Sequence, residues 1–139
     1  MFTGTHERAI DDKGRVVVPA EFRSQLADGA YLGRLERNLG LWLPDEFAAR
    51  VDALKAQAAE GELSRDEVRT WLAAAASVKL DGQHRIFLPS ALRLHAGLDD
   101  QIVFTGGWSY LEVWNEARWR QVQLAGDDAV MDAVEREFA

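Results

Sequence analysis

Residues 11–23 read DDKGRVVVPAEFR, which predicts a polar turn, a short β-strand and a proline that begins a helix. Residues 81–93 read DGQHRIFLPSALR and repeat the pattern seventy positions later. Four positions are identical in the two copies: Asp11 and Asp81, Arg15 and Arg85, Pro19 and Pro89, and Arg23 and Arg93. Both copies also place three apolar residues between the arginine and the proline. The repeat indicates a tandem duplication of one small unit.

Turn signals and hydrophobic periodicity predict the order β-β-α-β-β-α in each unit. In the first unit we expect strands at 2–10, 15–18, 30–35 and 41–43, a short helix at 20–26 and a longer helix from Pro44 to Gly61. A capping box of Ser64 and Glu67 then begins a helix that ends near Ser77. In the second unit we expect strands at 77–80, 85–88, 101–106 and 110–114, a short helix at 89–95, a helix capped by Asn115 and a separate last helix at 127–138.

The composition bounds the class of protein. The chain has 139 residues, a net charge of −7, 47% hydrophobic residues and no cysteine, which excludes disulfides and thiolate metal sites. The histidines, His6, His84 and His95, lack metal-ligand spacing, so neither a metal nor a cofactor is expected. No segment approaches the ~20 apolar residues of a membrane span, and the N-terminus has no apolar signal region. We therefore expect a cytoplasmic protein without a membrane partner.

The charge and the motifs also bear on function. Catalysis is not expected, because the sequence lacks a phosphate-binding glycine loop, a pair of metal-ligand histidines and a nucleophile–base set. The negative net charge argues against a simple basic nucleic-acid binder. The charge is uneven, however: residues 78–95 hold three basic residues and one acidic residue, whereas residues 96–139 hold three and nine. A local basic face on an acidic body is therefore expected.

The duplication itself predicts an architecture. Each repeated unit has about 45 residues, which is too few to bury a comfortable core alone. Two copies can share one core as an intrachain pseudo-dimer with interleaved strands and an approximate two-fold axis. A constant offset of seventy residues then matches Leu41 with Leu111. Both duplicated turns would lie on one face, which is the geometry that a two-fold DNA-binding protein needs.

The pattern D-x-x-G-R, three apolar residues, P-x-x, an apolar residue and R, followed by its degenerate second copy, resembles the MraZ family of bacterial proteins. Members of that family consist of two tandem SpoVT-AbrB (swapped-hairpin) domains, and the resemblance runs from Phe2 to the tail. It implies an α+β fold, mostly β with short helices, in which two swapped-hairpin β-barrel units form an intrachain pseudo-dimer. We expect the first domain at 1–48, a helical connector at 49–76, the second domain at 77–120 and a C-terminal helix at 121–139.

By this resemblance the protein is expected to be a sequence-specific DNA-binding transcriptional regulator, a repressor that recognises direct repeats in the promoter of its own division and cell-wall gene cluster. The partners implied are double-stranded DNA and further copies of the chain in a ring-shaped homo-oligomer associated with the nucleoid. The implied DNA contacts lie in the two turns: Lys13, Gly14, Arg15, Gln83, His84 and Arg85. Asp11 and Asp81 are expected to hold the arginines or to cap the turn backbone.

Residue chemistry agrees with these roles. Arginine presents a planar fork that binds guanine edges or phosphate oxygens, and Lys13 suits an unspecific phosphate contact. A ring would let several weak faces of an acidic subunit act together on repeated DNA sites. One position departs from the family pattern: His84 stands where the second copy usually has glycine. We expect Gly82 to take over the flexible position in that turn.

Several readings compete with these expectations. Arg15 and Arg85 are alternatively surface arginines in structural ion pairs, and a structural role is expected for Arg23 and Arg93. The tryptophans fit a core or a subunit interface better than base stacking, with Trp108 the most exposed of them. An antitoxin or a transition-state regulator of the same superfamily is the second function considered, and a structural ring protein without specific DNA binding is the third.

Overall fold

The computed structural model describes residues 1–138; Ala139, the last residue of the predicted C-terminal helix, lies outside them. The strands are β1 (Thr5–Ala9), β2 (Arg15–Val17), β3 (Ala30–Arg34), β4 (Leu39–Trp42), β5 (Ala76–Val78), β6 (Arg85–Phe87), β7 (Gln101–Gly106) and β8 (Tyr110–Asn115). The helices are α1 (Pro44–Ala59), α2 (Arg65–Ala74), α3 (Ser90–Ala96) and α4 (Glu116–Phe138), and a 3₁₀ turn spans Ala20–Phe22. The expected α+β class is confirmed, and α1 and α4 are the long helices, with 16 and 23 residues.

The strands of the two units are interleaved. Six strands form an antiparallel sheet in the order β1-β7-β8-β4-β3-β5, and β2 pairs with β6 in a separate two-stranded ribbon, the β2–β6 ribbon. The opening strand of each unit pairs with a strand of the other unit, β1 with β7 and β5 with β3. The units meet again at β4–β8. Neither unit could complete its sheet alone, as the pseudo-dimer expectation requires.

An approximate two-fold axis passes through both interfaces between the units. In the β2–β6 ribbon, Val16 lies opposite Ile86, its equivalent at an offset of seventy. In the large sheet, Gly40 lies opposite Glu112 at an offset of 72. Positions that face their own equivalents mark the axis, so the ribbon and the β4–β8 pair are centred on it.

The offset between the units is not constant along the chain. Leu32 lies opposite Leu41 in one hairpin, and Phe104 lies opposite Val113 in the other, so the hairpins coincide at an offset of 72 residues. The expected match of Leu41 with Leu111 is therefore wrong. The second unit has two additional residues between its short helix and β7, which the motif spacing alone does not reveal.

This difference in length explains why the short helix expected in the first unit is not formed. We expected a short helix at 20–26, but the segment forms a 3₁₀ turn at Ala20–Phe22 followed by further turns, whereas its counterpart α3 is a full helix ending at Gly97 with φ +63°. The first unit has two fewer residues with which to reach its next strand. Its chain therefore leaves the helical conformation earlier.

The C-terminal segment also differs from expectation, because α4 is continuous where we expected two helices. Asn115 caps it as expected, since its Oδ1 accepts the N–H of Arg118 at 3.1 Å. Gly126 lies within the helix and is exposed. Glycine inside a helix costs about 1 kcal/mol relative to alanine, which a 23-residue helix tolerates. The predicted capping box of α2 is confirmed by reciprocal bonds of 3.0 Å between Ser64 and Glu67.

The sheet buries both of its faces. Alternate residues of the central strands, such as Leu32, Leu41 and Phe104, pack with the apolar side of the β2–β6 ribbon, the 3₁₀ turn and α3 in one hydrophobic core. The residues between them point to the opposite face, where Trp42 packs against Phe47 of α1 and Trp71 of α2, and Trp114 packs against Trp119 of α4. Each large apolar side chain buried this way contributes ~1.5–3 kcal/mol. The ribbon and the long helices thus lie on opposite sides of the sheet.

Candidate nucleic-acid interface

The first duplicated turn is built around the carboxylate of Asp11. Its Oδ1 accepts the backbone N–H groups of Lys13 at 2.9 Å and of Arg15 at 2.8 Å. Its carbonyl accepts the N–H of Gly14 at 3.1 Å, and its own N–H donates to the carbonyl of Arg15 at 2.8 Å. A short acidic side chain that bonds the backbone two residues ahead is the usual device of an Asx turn.

The second turn repeats this arrangement. Oδ1 of Asp81 accepts the backbone N–H groups of Gln83 and Arg85, each at 2.9 Å. The carbonyl of Asp81 accepts the N–H of His84 at 3.0 Å. The two turns are therefore alike in backbone bonding although they share only the aspartate and the arginine.

Both turns need one residue in the left-handed conformation. Gly14 takes it in the first turn with φ +80°, and His84 takes it in the second with φ +62°. Gly82 does not have a positive φ, so the expectation that it relocates the flexible position is wrong. The backbone bonds of Asp81 hold the turn to one geometry, and the residue before the arginine must adopt it whatever its side chain. A non-glycine residue in this region costs about 1–2 kcal/mol.

The aspartates also hold the arginine side chains. Nε of Arg15 donates to Oδ2 of Asp11 at 2.9 Å, and Nε of Arg85 donates to Oδ2 of Asp81 at 2.8 Å. Nη1 of Arg85 also lies 3.7 Å from Oδ2 of Asp11, so this carboxylate faces both arginines. Within residues 1–138 the terminal Nη groups make no hydrogen bond to the protein, so apart from this 3.7 Å ion pair they are available to a ligand.

Hydrogen bonding lowers the pKa of both aspartates. The backbone N–H of Arg15 is the largest cause for Asp11, and the Arg15 guanidinium adds to it, against a smaller opposing effect of desolvation. The backbone N–H of Arg85 does the same for Asp81. Both carboxylates are therefore ionised at neutral pH and available to orient the guanidinium groups.

The β2–β6 ribbon brings the two turns together. The N–H of Leu88 donates to the carbonyl of Gly14 at 2.8 Å, and the N–H of Val18 donates to the carbonyl of His84 at 2.9 Å. Each turn is thus bonded to the end of the other unit's strand. The loops that were separated by seventy residues become one continuous surface.

Alternation along the ribbon sorts its side chains. Val16 and Ile86 point into the core, and the residues on either side of them point outwards. The outward set is Arg15, Val17, Arg85 and Phe87, which we call the ribbon face. Cross-strand pairing places Arg15 opposite Phe87 and Val17 opposite Arg85. Each arginine therefore has an exposed apolar neighbour across the ribbon.

Sequence reasoning missed the two apolar members of this face. Val17 is 37% exposed and Phe87 is 51% exposed, although each lies in the run of three apolar residues between the arginine and the proline. The signal was present, because residues 16 and 18 point inwards in a strand and residue 17 must then point outwards. Lys13, Gln83 and His84 are exposed at the tips of the turns, beside the ribbon face.

The other duplicated arginines, Arg23 and Arg93, hold the backbone at the end of each ribbon strand. Nε of Arg23 donates to the carbonyl of Val18 at 3.0 Å, and Nε of Arg93 donates to the carbonyl of Leu88 at 2.8 Å. A side chain added at Gly14 would meet the Arg93 guanidinium at 3.1 Å. Arg23 and Arg93 are therefore tied to the backbone that follows each strand.

Other chemistry lies apart from this surface. His6 pairs with Glu21 at 2.8 Å, and His95 contacts the carbonyl of Leu35 at 2.6 Å. Among residues 1–138 no cluster of three or more histidine or acidic side chains is arranged to hold a metal ion. In the same range no helix has both the length and the apolar character to cross a membrane. Trp108, 61% exposed, is the accessible tryptophan, as expected.

The ribbon face can bind an anion or a base edge. Two half-buried arginines, with side chains 31% and 22% exposed, are oriented by carboxylates and present free Nη groups. Such groups bind phosphate oxygens or the O6 and N7 acceptors of guanine. Exposed valine and phenylalanine suit contact with a thymine methyl group. The formal charges within each turn nearly cancel, so one face alone attracts a polyanion weakly.

Comparison with known proteins matches both repeated units to one protein family. The family model described as "MraZ protein, putative antitoxin-like" matches residues 1–68 and again residues 71–138. The chain is 37% identical to "Transcriptional regulator MraZ" of Kocuria rhizophila over 99% of this chain and 96% of that protein. It is 35% identical to the protein of that name in Clavibacter michiganensis subsp. michiganensis, over 97% and 95% of the two chains. It is 40% identical to that of Herpetosiphon aurantiacus, over 88% and 86%.

Proposed function

The chain belongs to the MraZ family, and from that premise we propose that it is a transcriptional regulator that binds double-stranded DNA through the ribbon face and the two turns. The DNA recognised consists of direct repeats in the promoter of its own division and cell-wall gene cluster, where the protein acts as a repressor associated with the nucleoid. The domains at 1–48 and 77–120 would supply one turn each. Residues 49–76 and 121–139 would serve assembly.

One observation carries this proposal. Arg15 and Arg85 come from turns seventy residues apart, yet the β2–β6 ribbon places both on one exposed face. Their Nε groups donate to Asp11 and Asp81, whereas their Nη groups make no hydrogen bond within residues 1–138. Structural ion pairs alone do not require both arginines to lie on one exposed face about a two-fold axis. A two-fold pair of guanidinium edges suits two successive segments of a DNA groove.

The acidic net charge is compatible with this function if several subunits act together. One ribbon face offers few positive charges against a body of net charge −7. In a ring-shaped homo-oligomer, each face would bind one repeat, and linked sites gain affinity without new contacts. We therefore expect binding to depend on the number of repeats in the DNA.

The test is fluorescence anisotropy with the protein's own upstream DNA and with a scrambled duplex of the same composition, over a series of salt concentrations. The wild type should prefer the upstream duplex. Arg15→Ala with Arg85→Ala should weaken binding by about 30-fold or more, because each base contact contributes ~1–3 kcal/mol of discrimination. A matched control, Arg50→Ala with Arg120→Ala, removes two exposed arginines from helices on the other side of the sheet.

The outcomes separate the competing functions. Loss of preference in the ribbon-face variant but not in the control supports the proposal. Equal binding to both duplexes by the wild type would refute specific recognition. Absence of any salt-sensitive binding would favour the structural ring. The antitoxin function would be favoured instead if a neighbouring gene encoded a toxin and the chain bound and neutralised that toxin.

A further inference from the structure

The second half of α4 extends away from the rest of the chain, and one side of it is apolar and exposed. Residues 123–138 are exposed, and Val130, Met131, Val134 and Phe138 are 52%, 49%, 40% and 84% exposed. Their spacing of one, four and eight residues places them on one side of the helix, which we call the α4 stripe. Contiguous exposed apolar surface of this kind marks a site of interaction.

The charge around the α4 stripe limits what can cover it. From residue 127 to residue 138 the helix carries five carboxylates and one arginine: Asp127, Asp128, Asp132, Glu135, Glu137 and Arg136. Two such helix ends would repel each other, so pairing of one α4 stripe with another is disfavoured. The surface that fits the stripe is apolar with a basic rim.

A surface with these properties lies between α1 and α2. It is a groove of about 490 Å³ with an apolar floor that includes Ala58, Val68 and Leu72. Its rim holds three cations, Lys55, Arg65 and Arg69, and none of its lining residues is acidic. Arg69 pairs with Asp66 at 2.7 Å, whereas Lys55 and Arg65 form no ion pair within residues 1–138. We call this surface the α1–α2 groove.

We propose that the α4 stripe of one subunit docks into the α1–α2 groove of a second copy of the chain. Within one chain the stripe stays exposed, and its acidic surroundings complement the basic rim of the groove, which argues for another copy of the chain as the occupant. Where the same two subunits do not reciprocate the contact, it is heterologous, and its repetition from subunit to subunit closes into a ring when the rotation allows. The inference rests on the homo-oligomer of the proposed function and identifies the contact that builds it.

The experiment uses two full-length variants that are each defective on one surface. Met131→Glu with Val134→Glu damages the stripe, and Lys55→Glu with Arg65→Glu reverses the charge of the groove rim. All four positions are exposed or lie on exposed helix faces, and thermal melts would check that both variants fold. Sedimentation velocity without DNA should show assembly weakened about tenfold or more in each variant alone.

Mixing the variants distinguishes a contact of stripe with groove from pairing of stripe with stripe or of groove with groove, and assembly of the wild type beyond two chains distinguishes a ring from a reciprocal pair. The groove variant still has an intact stripe and the stripe variant an intact groove, so an equimolar mixture should form a pair that stops at two chains. Ala129→Glu with Ala133→Glu adds the same two charges outside the stripe and should assemble as the wild type does. A mixture that stays monomeric, a groove variant that assembles normally, or a monomeric wild type would overturn the proposal. Arg15→Ala with Arg85→Ala should assemble normally, which keeps this test separate from DNA binding.

Discussion

Each of the two turns has one residue in the left-handed conformation, which is glycine in the first turn and histidine in the second. Substitutions at these two residues test how the turns hold the interface together. Gly14 has φ +80° and is buried, while His84 has φ +62° and is exposed. Both residues hold the arginine that follows them at the ribbon face. Substitutions at these two positions should change the free energy of unfolding in opposite directions.

Gly14→Ala should destabilise the fold for two separate reasons. The left-handed conformation costs an L-residue about 1–2 kcal/mol. The new Cβ would lie 3.1 Å from Nη2 of Arg93 and 3.2 Å from the carbonyl oxygen of Leu88, which is backbone and cannot move freely. Alanine also makes the unfolded chain less flexible than glycine does, which stabilises the fold by about 0.4–1 kcal/mol. The net loss should be about 1–3 kcal/mol.

His84→Gly should act in the other direction. It removes the left-handed strain of about 1–2 kcal/mol and gives back about 0.4–1 kcal/mol through the more flexible unfolded chain. The net gain should be about 0.5–1 kcal/mol. Gly61→Ala is the matched control, because Gly61 has φ +82° with nothing within 4 Å of an added Cβ. It should cost less than Gly14→Ala, and the difference measures the crowding against Arg93 and Leu88.

Urea unfolding followed by tryptophan fluorescence would measure these changes at one fixed protein concentration, since assembly shifts apparent stability. A change of 1 kcal/mol corresponds to about 3–5 °C in Tm for a chain of this length. If Gly14→Ala is no worse than Gly61→Ala, the crowding argument fails. If His84→Gly destabilises the fold, the turn does not carry the strain assigned to it.

Three further predictions follow from single contacts. The folded-state pKa values of Asp11 and Asp81 are lowered, so the stability that these carboxylates give the fold is complete above the ordinary pKa of 3.8 and is lost as the pH falls through the lower folded values. Asp11→Asn with Asp81→Asn should therefore lose less Tm on acidification than the wild type does. Asn38→Ala removes the 2.7 Å bond from buried Asn38, the residue before β4, to Glu112 of β8, and should cost about 1–3 kcal/mol in urea unfolding; an unchanged free energy of unfolding would contradict this role. Lys13→Ala should lower the salt slope of DNA binding by about one while leaving sequence preference unchanged, and a lost preference would contradict its role as a phosphate contact.

The candidate interface was largely predictable because its parts are local. The bonds of Asp11 to residues two and four positions ahead need only an aspartate, a left-handed residue and a following strand. The same holds for the second turn, for the helix cap at Ser64 and for the left-handed end of α3 at Gly97. Short-range bonds of this kind depend on neighbouring residue types, which a sequence displays directly. The duplication added the expectation of a two-fold arrangement.

Two errors have the same origin. The constant offset failed in the hairpins, and the helix expected at 20–26 became a 3₁₀ turn. Both depend on how many residues the chain needs to cross from the short helix to the next strand. That number follows from where the other unit's strands lie, and no local pattern records it.

By itself, the sequence determined the aspartate-capped turns, the order of strands in each unit and the presence of a repeated unit too small to stand alone. It did not determine that His84 rather than Gly82 is the left-handed residue of the second turn. Only the tertiary structure decided which strand pairs with which, that Val17 and Phe87 complete the ribbon face, and that the α4 stripe is left uncovered. The physical reason is that pairing between residues 44 to 100 positions apart, from Leu32 with Ala76 to Thr5 with Thr105, carries a chain-entropy cost that only the shared core offsets. The outcome therefore depends on the packing of the whole molecule rather than on any one segment.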